Sequence, residues 1–322
     1  MGYPFPMPEL GYALSSEEHQ PAELVRLSVR AEETGFSFAA ISDHFHPWID
    51  RQGHAPFVWS VIGGIAMATD RLRLGTGVTC PTMRIHPAII AQAAATSAAM
   101  MPGRFFLGVG TGENLNEHVL GDHWPPVDTR LEMLEEAVGV IRKLWEGDLC
   151  SHDGNHYLVE NARIYTLPDE LPPIIVAAGG PKAATLAGRI GDGFWSTAPE
   201  AELVEAFEAA GGRGPRYAQA TVCWAADEGQ ARKTAHEWWP NAALPGQLTQ
   251  ELALPSHFEQ AASLVTADAL AEMLPLGPDP DRHVEAIQEY LDAGFDHVYI
   301  HQIGSDQDGF FDFYRNEVLP RL

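Results

Sequence analysis

Residues 36–48 read Phe36-Ser-Phe-Ala-Ala-Ile-Ser-Asp-His-Phe-His-Pro-Trp48. The first half is a short apolar run that suits a buried strand. It then breaks abruptly into Asp43, His44, His46, Pro47 and Trp48. One reading of the break is a capped turn, with Asp43 at a helix start and Pro47 in the bend. The other is chemical: in a parallel α/β barrel, the loops at the C-terminal ends of the strands carry the reactive groups. The choice depends on whether the rest of the chain repeats the pattern.

It does repeat. Upstream, Gly11-Tyr-Ala-Leu-Ser15 reads as a strand, with Ser15 or Ser16 capping a helix over 17–34 that Gly35 stops. Downstream, a helix over 56–69 leads to a strand at 72–78, and an Ala-rich helix over 87–101 leads to a strand at 104–110. The next helix, 128–145, places Leu131, Leu134, Val138, Ile141 and Leu144 at helical spacing. Turn residues Asp153-Gly-Asn155 within 147–168 predict a hairpin insertion. Strands at 172–180, 193–197 and 217–225 alternate with helices at 181–190, 200–210 and 228–238. A stretch rich in Pro, Leu and Ala, 240–280, predicts a helical insertion without strands. A helix at 282–293, a strand at 297–301 and a terminal helix from 308 complete the chain. Eight strand–helix units predict one α/β domain over 1–322, a (β/α)8 TIM barrel with insertions. A doubly wound sheet would want a glycine fingerprint in its first turn, where Tyr12-Ala-Leu-Ser-Ser16 has no glycine.

Composition narrows the classes. The net charge of −24 would repel nucleic acid and anionic membranes, so neither is expected as a partner. No apolar run reaches the ~20 residues of a membrane span. Met1-Gly-Tyr-Pro-Phe-Pro6 lacks the basic segment of a secretory signal and the Ser or Thr of a myristoylation site. Cys80, Cys150 and Cys223 are odd in number and form no CxxC, which fits a reducing cytoplasm rather than a disulfide framework.

Polar and glycine-rich segments follow the strands, as the barrel requires. They include Gly77-Val-Thr-Cys-Pro-Thr82, Gly108-Val-Gly-Thr-Gly-Glu-Asn-Leu-Asn-Glu117, Ala177-Ala-Gly-Gly-Pro181 and Trp195-Ser-Thr197. The run at 108–112 is no dinucleotide fingerprint, because its third glycine position holds Glu113. It is either a flexible turn or a backbone that a planar ligand approaches closely, flanked by Glu113 and Asn116. Residues 177–181 open a helix with bare amides, a plain helix start or an anion cradle. His44 and His46 raise a metal, but strands 5 and 6 end without ligands and His301 stands alone after strand 8. A mononuclear zinc site takes three protein ligands, so no metal is expected.

Several segments, taken together, resemble the luciferase-like flavin and deazaflavin oxidoreductases. They are Ser42-Asp-His-Phe-His-Pro-Trp48, Leu74-Gly-Thr-Gly-Val-Thr-Cys-Pro-Thr82, Pro87-Ala-Ile-Ile-Ala-Gln92, Phe106 to Glu117 and Gly191-Asp-Gly-Phe194. The branch they are most similar to is that of the coenzyme F420-dependent glucose-6-phosphate dehydrogenases. The resemblance implies a barrel, usually a homodimer, with a deazaflavin at its C-terminal mouth and a small-molecule substrate beside it. His44 would take the substrate hydroxyl proton as hydride passes to C5 of the deazaflavin. Trp48 would cover the reacting carbon and steady developing charge, and Glu113 would supply a proton toward the ring. Asp43, Gly77, Val78, Cys80, Asn116, Ala178, Gly179, Gly180, Pro181 and Thr197 would line the cofactor, with the Gly77–Val78 peptide cis. An FMN-dependent monooxygenase of the same fold is the alternative, as is a non-catalytic deazaflavin-binding protein. The full set of His44, Trp48 and Glu113 favours hydride transfer.

The substrate is expected to differ from that branch's. A lysine that follows strand 6 in the sugar-phosphate enzymes is replaced by Glu200, in Thr197-Ala-Pro-Glu200, and no lysine follows Gly246. A phosphodianion needs charge-assisted donors, so a sugar phosphate is not expected unless its phosphate site is altered. Trp238, Trp239, Leu244, Leu248, Leu252 and Leu254 in the insertion suggest a larger or more apolar substrate.

Overall fold

The computed structural model describes residues 8–322. The signal and myristoylation readings fall on residues 1–6, outside the described residues. Among the described residues ten strands form: β1 (Glu9–Leu14), β2 (Phe38–Ile41), β3 (Arg73–Thr76), β4 (Phe105–Val109), β5 (Cys150–Asp153), β6 (Leu158–Ala162), β7 (Ile174–Ala177), β8 (Gly193–Ser196), β9 (Arg216–Val222) and β10 (His297–Gln302). Eight of them close into a barrel in the order β1-β10-β9-β8-β7-β4-β3-β2. Every pairing in it is parallel, and β1 seals it by pairing with both β2 and β10. The remaining two, β5 and β6, make an antiparallel hairpin at the expected insertion. The fold is a (β/α)8 barrel.

Strand alternation divides the buried residues between two layers. Phe38, Ala40, Phe106, Ile175, Trp195, Tyr217 and Tyr299 point inward and fill the barrel. Ala39, Ile41, Leu74, Leu107, Val176 and Ile300 point outward, against the helices. The inner rings need room. A Cβ on Gly11 would lie 2.5 Å from the Phe38 ring, and one on Gly75 would collide with Phe106. Glycines in two strands therefore make space for aromatics in their neighbours, and Trp195 stacks on Tyr217 with ring centroids 5.3 Å apart.

The helices begin and end where local chemistry dictates. Proline opens the helices Pro21–Thr34, Pro87–Met100, Pro181–Ile190 and Pro280–Asp292, at the position where its missing N–H is not needed. Gly35, at φ 109°, closes the first of these. That helix starts at Pro21 rather than near Glu17 as the sequence predicts. The side chains of Ser15, Glu17 and Glu18 turn inward and are buried, so residues 15–20 form a loop over the barrel mouth. The 240–280 insertion is helical, with helices Leu248–Glu251, Pro255–Ala262 and Ala267–Met273. It is pinned down by Asn114 Nδ2 donating to the Glu251 carbonyl (3.0 Å) and by Arg130 donating to Gln250 Oε1 (3.2 Å).

Candidate active site

A cavity of about 450 Å³ opens at the C-terminal mouth of the barrel, a size typical of small-molecule sites. Of the residues singled out from the sequence, His44, Trp48, Glu113, Gly77, Val78, Ala178, Gly179 and Thr197 line it. They come from the ends of β2, β3, β4, β7 and β8, so the barrel brings together groups far apart in sequence. The Gly77–Val78 peptide is cis, as the resemblance implies. Bare backbone keeps the wall thin: a Cβ on Gly77 would lie 3.0 Å from Trp195, and one on Gly110 would lie 2.8 Å from Val78.

His44 is the best-supported polar group in the cavity. Its Nδ1 lies 3.0 Å from Glu17 Oε1, a close contact whose angle falls outside hydrogen-bond geometry. The other oxygen, Oε2, accepts from Ser42 Oγ at 2.6 Å and from Ser15 Oγ at 3.0 Å. Burial pushes the Glu17 carboxyl up, but His44 and the two serines outweigh it and hold the group below its ordinary value. Glu17 is therefore an anion directly behind the imidazole. The Trp48 indole stands at 64° to the His44 ring with centroids 5.0 Å apart, and its far side rests on Phe258 of the insertion at 5.2 Å.

The other expected residues sit behind the wall. Asp43 is buried: Oδ1 takes a hydrogen bond from Arg84 Nη2 at 2.9 Å and Oδ2 one from Thr79 at 2.6 Å. Asn116 Oδ1 accepts from the amides of Phe45 (2.9 Å) and His46 (3.1 Å), clamping the turn after His44. Cys80 is buried close behind Gly112, where an added Cβ would lie 3.2 Å from its Sγ, and burial raises its thiol pKa well above the ordinary value. Gly180 caps the helix that Pro181 begins; neither borders the cavity. His46 is a bystander whose Nδ1 meets the Leu115 carbonyl at 2.9 Å.

The sequence reading missed several wall residues. Glu17 and Ser42 flank His44, while Gln219 and Tyr299 form a floor in which Tyr299 donates to Gln219 Oε1 at 2.8 Å and accepts from Trp195 Nε1 at 3.0 Å. Asn241, Thr249 and Gln250 complete a polar side, together with His301, which the sequence already places at the end of the last strand. The signal for Glu17 was the rule applied to the other strands, since Ser15-Ser-Glu-Glu18 directly follows β1; a helix-capping reading absorbed it. Of the apolar insertion residues, Trp239 and Leu244 line the cavity. Leu252 packs against the cluster of Ile49, Leu115 and Phe258. Arg51 lies over the ring of Trp238, and Leu248 and Leu254 are partly exposed on the surface. Among the described residues no lysine or arginine lines the cavity, and no group of three or more His, Cys, Asp or Glu is placed to hold a metal. No helix among them is long and apolar enough to cross a membrane.

The geometry has close counterparts. The F420-dependent glucose-6-phosphate dehydrogenase of Nocardia farcinica is 39% identical over 329 residues, covering 98% of each chain. The enzyme of the same name from Mycobacterium tuberculosis is 38% identical, again over 98% of each. Among solved structures, an F420-dependent secondary alcohol dehydrogenase in complex with an F420-acetone adduct superposes with a TM-score of 0.90 at 29% identity, covering 97% of this chain and 98% of the other. The sequence pattern of the luciferase-like monooxygenases matches residues 5–297. With the barrel, the cis Gly77–Val78 peptide and these likenesses in agreement, the chain belongs to the luciferase-like monooxygenase family.

Proposed function

We propose that this protein is a coenzyme F420-dependent oxidoreductase that interconverts an uncharged alcohol and its carbonyl compound. The observation that carries this reading is the His44–Glu17 contact on the wall of a cavity that, among the described residues, no lysine or arginine lines. The relatives named for F420 support the cofactor. When bound, F420 supplies the centre that accepts or gives up hydride. Gly77, Val78, Ala178, Gly179 and Thr197 would hold it, since the bare backbone there lets a planar ring approach closely.

The chain's own groups handle the proton. With Nδ1 turned toward Glu17, the Nε2 of His44 is the nitrogen left to take the substrate hydroxyl proton. The Glu17 anion stabilises the positive charge that then forms on the imidazole. Trp48 packs beside the reacting carbon and keeps water from it. Glu113, from the end of β4, gives or takes a proton at the cofactor ring. A sugar phosphate fits this cavity poorly, because its dianion would face Glu17 and Glu113 without a charged donor. Glu200, at the place of the sugar-phosphate enzymes' lysine, is exposed.

Fluorescence titration with F420 and with FMN, followed by steady-state assays on 2-propanol, cyclohexanol and glucose 6-phosphate, tests the reading. Binding of F420 and turnover of a neutral alcohol are expected; tighter FMN binding, or fast turnover of glucose 6-phosphate, would overturn it. His44→Ala should slow turnover ~10²–10⁴-fold while F420 still binds. The resemblance and the free cysteines Cys80, Cys150 and Cys223 further support a homodimer working in a reducing cytoplasm, the first of which light scattering checks.

A further inference from the structure

The turn after β1 sends two consecutive carboxylates to opposite neighbours. Glu17 reaches His44, after β2; Glu18 reaches His301, on β10, with Oε2 3.0 Å from Nε2. Since β1 lies between β2 and β10, and adjacent strands are ~4.8 Å apart, the two histidines come from strands about 10 Å apart across one mouth. Only the first of them has a role in the reaction proposed above.

The second is built to receive something. Glu18 is fixed, because its Oε1 also accepts the Gly304 amide at 3.0 Å. His301 Nε2–H donating to this carboxylate leaves Nδ1 as a lone-pair acceptor in the neutral ring. That Nδ1 is buried and has no partner among the described residues, although the residue lines the cavity. The Trp239 indole lies against the ring, with centroids 4.4 Å apart. Two residues on, Asn241 also lines the cavity, is 4% exposed, and has its Oδ1 buried without a partner among the described residues. Buried acceptors are nearly always paired. A ligand hydroxyl has one proton to give and lone pairs to accept with, so in a cavity that no lysine or arginine lines among the described residues it matches the pair by donating to His301 Nδ1 and accepting from the Asn241 side-chain NH2.

We propose that His301, held by Glu18, and Asn241 recognise a second hydroxyl of the substrate, so that the substrate class is a neutral diol or hydroxy ketone rather than a simple alcohol. The inference rests on the oxidoreductase reading for its first hydroxyl, and on His301 and Asn241 alone for its second. Binding of cyclohexanol, 1,2-cyclohexanediol and 1,4-cyclohexanediol is compared by calorimetry on the wild-type protein, with and without F420. One diol should bind about tenfold more tightly than cyclohexanol, the worth of one such hydrogen bond. The ratio should collapse toward one in His301→Leu and in Asn241→Ala, and His301→Gln, which keeps an acceptor, should restore part of it. Asn241 lies in the insertion rather than in the barrel, so its variant decides the matter if His301→Leu does not fold. A wild-type ratio near one, or a preference that survives both substitutions, overturns the proposal. Failure of F420 to bind the wild type would sink the cofactor reading instead, and the ratio measured on the protein alone would still decide this one.

Discussion

Arg84 Nη2 lies 2.9 Å from Asp43 Oδ1, and both side chains are almost wholly out of solvent. The same nitrogen donates to the Asp43 carbonyl at 3.0 Å, while Arg84 Nε stands 3.5 Å from Glu117 Oε1. One guanidinium thus joins the end of β2 to the helix Asn114–Glu117, which follows Glu113. It holds the two sides of the cavity, His44 and Glu113, in register. Replacing it leaves two buried carboxylates without a cation, which typically destabilises by about 3–5 kcal/mol. Arg84→Met should show that loss as a lower denaturant midpoint; a change under ~1 kcal/mol would mean that the network is ornamental.

Glu117 gives the fold a pH dependence of unusual sign. Burial raises its carboxyl pKa to about 7; Glu113 and Asp43 add to this and Arg84 opposes it. Between the ordinary value of 4.5 and about 7, the folded chain keeps a proton that the unfolded chain gives up. This contribution is fully present below 4.5 and is lost as pH rises through 7. At ~1.4 kcal/mol per unit it amounts to about 3 kcal/mol. Glu117→Gln has no proton to lose, so it should gain stability relative to the wild type from pH 5 toward pH 8. Parallel stability curves for the two proteins would remove the argument.

Glu17 runs the other way. Its folded pKa is lowered, so its contribution is present above the ordinary carboxylate value and disappears as pH falls through the folded one. Glu17→Gln should therefore lose stability at neutral pH and converge with the wild type in acid. It should also lower kcat by roughly 10–10²-fold, because the imidazole loses the anion that steadies its charge. F420 affinity, read by fluorescence quenching, should stay near that of the wild type. If kcat holds while stability falls, Glu17 is a structural buried acid and not a partner of the base.

The barrel and half of its site were legible because strand ends and chemistry coincide along the chain. Phe38–Ile41 is all buried and ends next to His44, and Leu107-Gly-Val109 ends beside Glu113, so a local pattern carries both fold and function. Glu17 and Glu18 were hidden by a local competitor, since Ser-Ser-Glu-Glu before a helix also spells a cap. Pro21 decides against that by fixing the helix start. Asn241, Thr249 and Gln250 were not legible at all, because only tertiary folding lays the insertion over the mouth. Asp43 and Asn116 show the reverse: polar residues in the right loops that are spent on holding the loops together.

Gln52 tests how far the position of Trp48 matters. Only 1% of Gln52 is exposed. Its Oε1 accepts from the Trp48 amide at 2.9 Å and its Nε2 donates to the Trp238 carbonyl at 3.0 Å. One side chain thus ties the turn bearing Trp48 to the end of the helix Glu228–Trp238, just before the insertion that roofs the cavity. Gln52→Leu keeps the volume but leaves that amide and that carbonyl unpaired, at a cost of about 1–3 kcal/mol. The freed turn lets the indole drift from His44, and small misplacements next to a reacting carbon cost rate steeply. The variant should bind F420 normally, since Trp48 and not the cofactor wall is disturbed, while kcat/KM for a neutral alcohol falls about tenfold. Equal losses in cofactor affinity and turnover would instead place Gln52 in general support of the mouth.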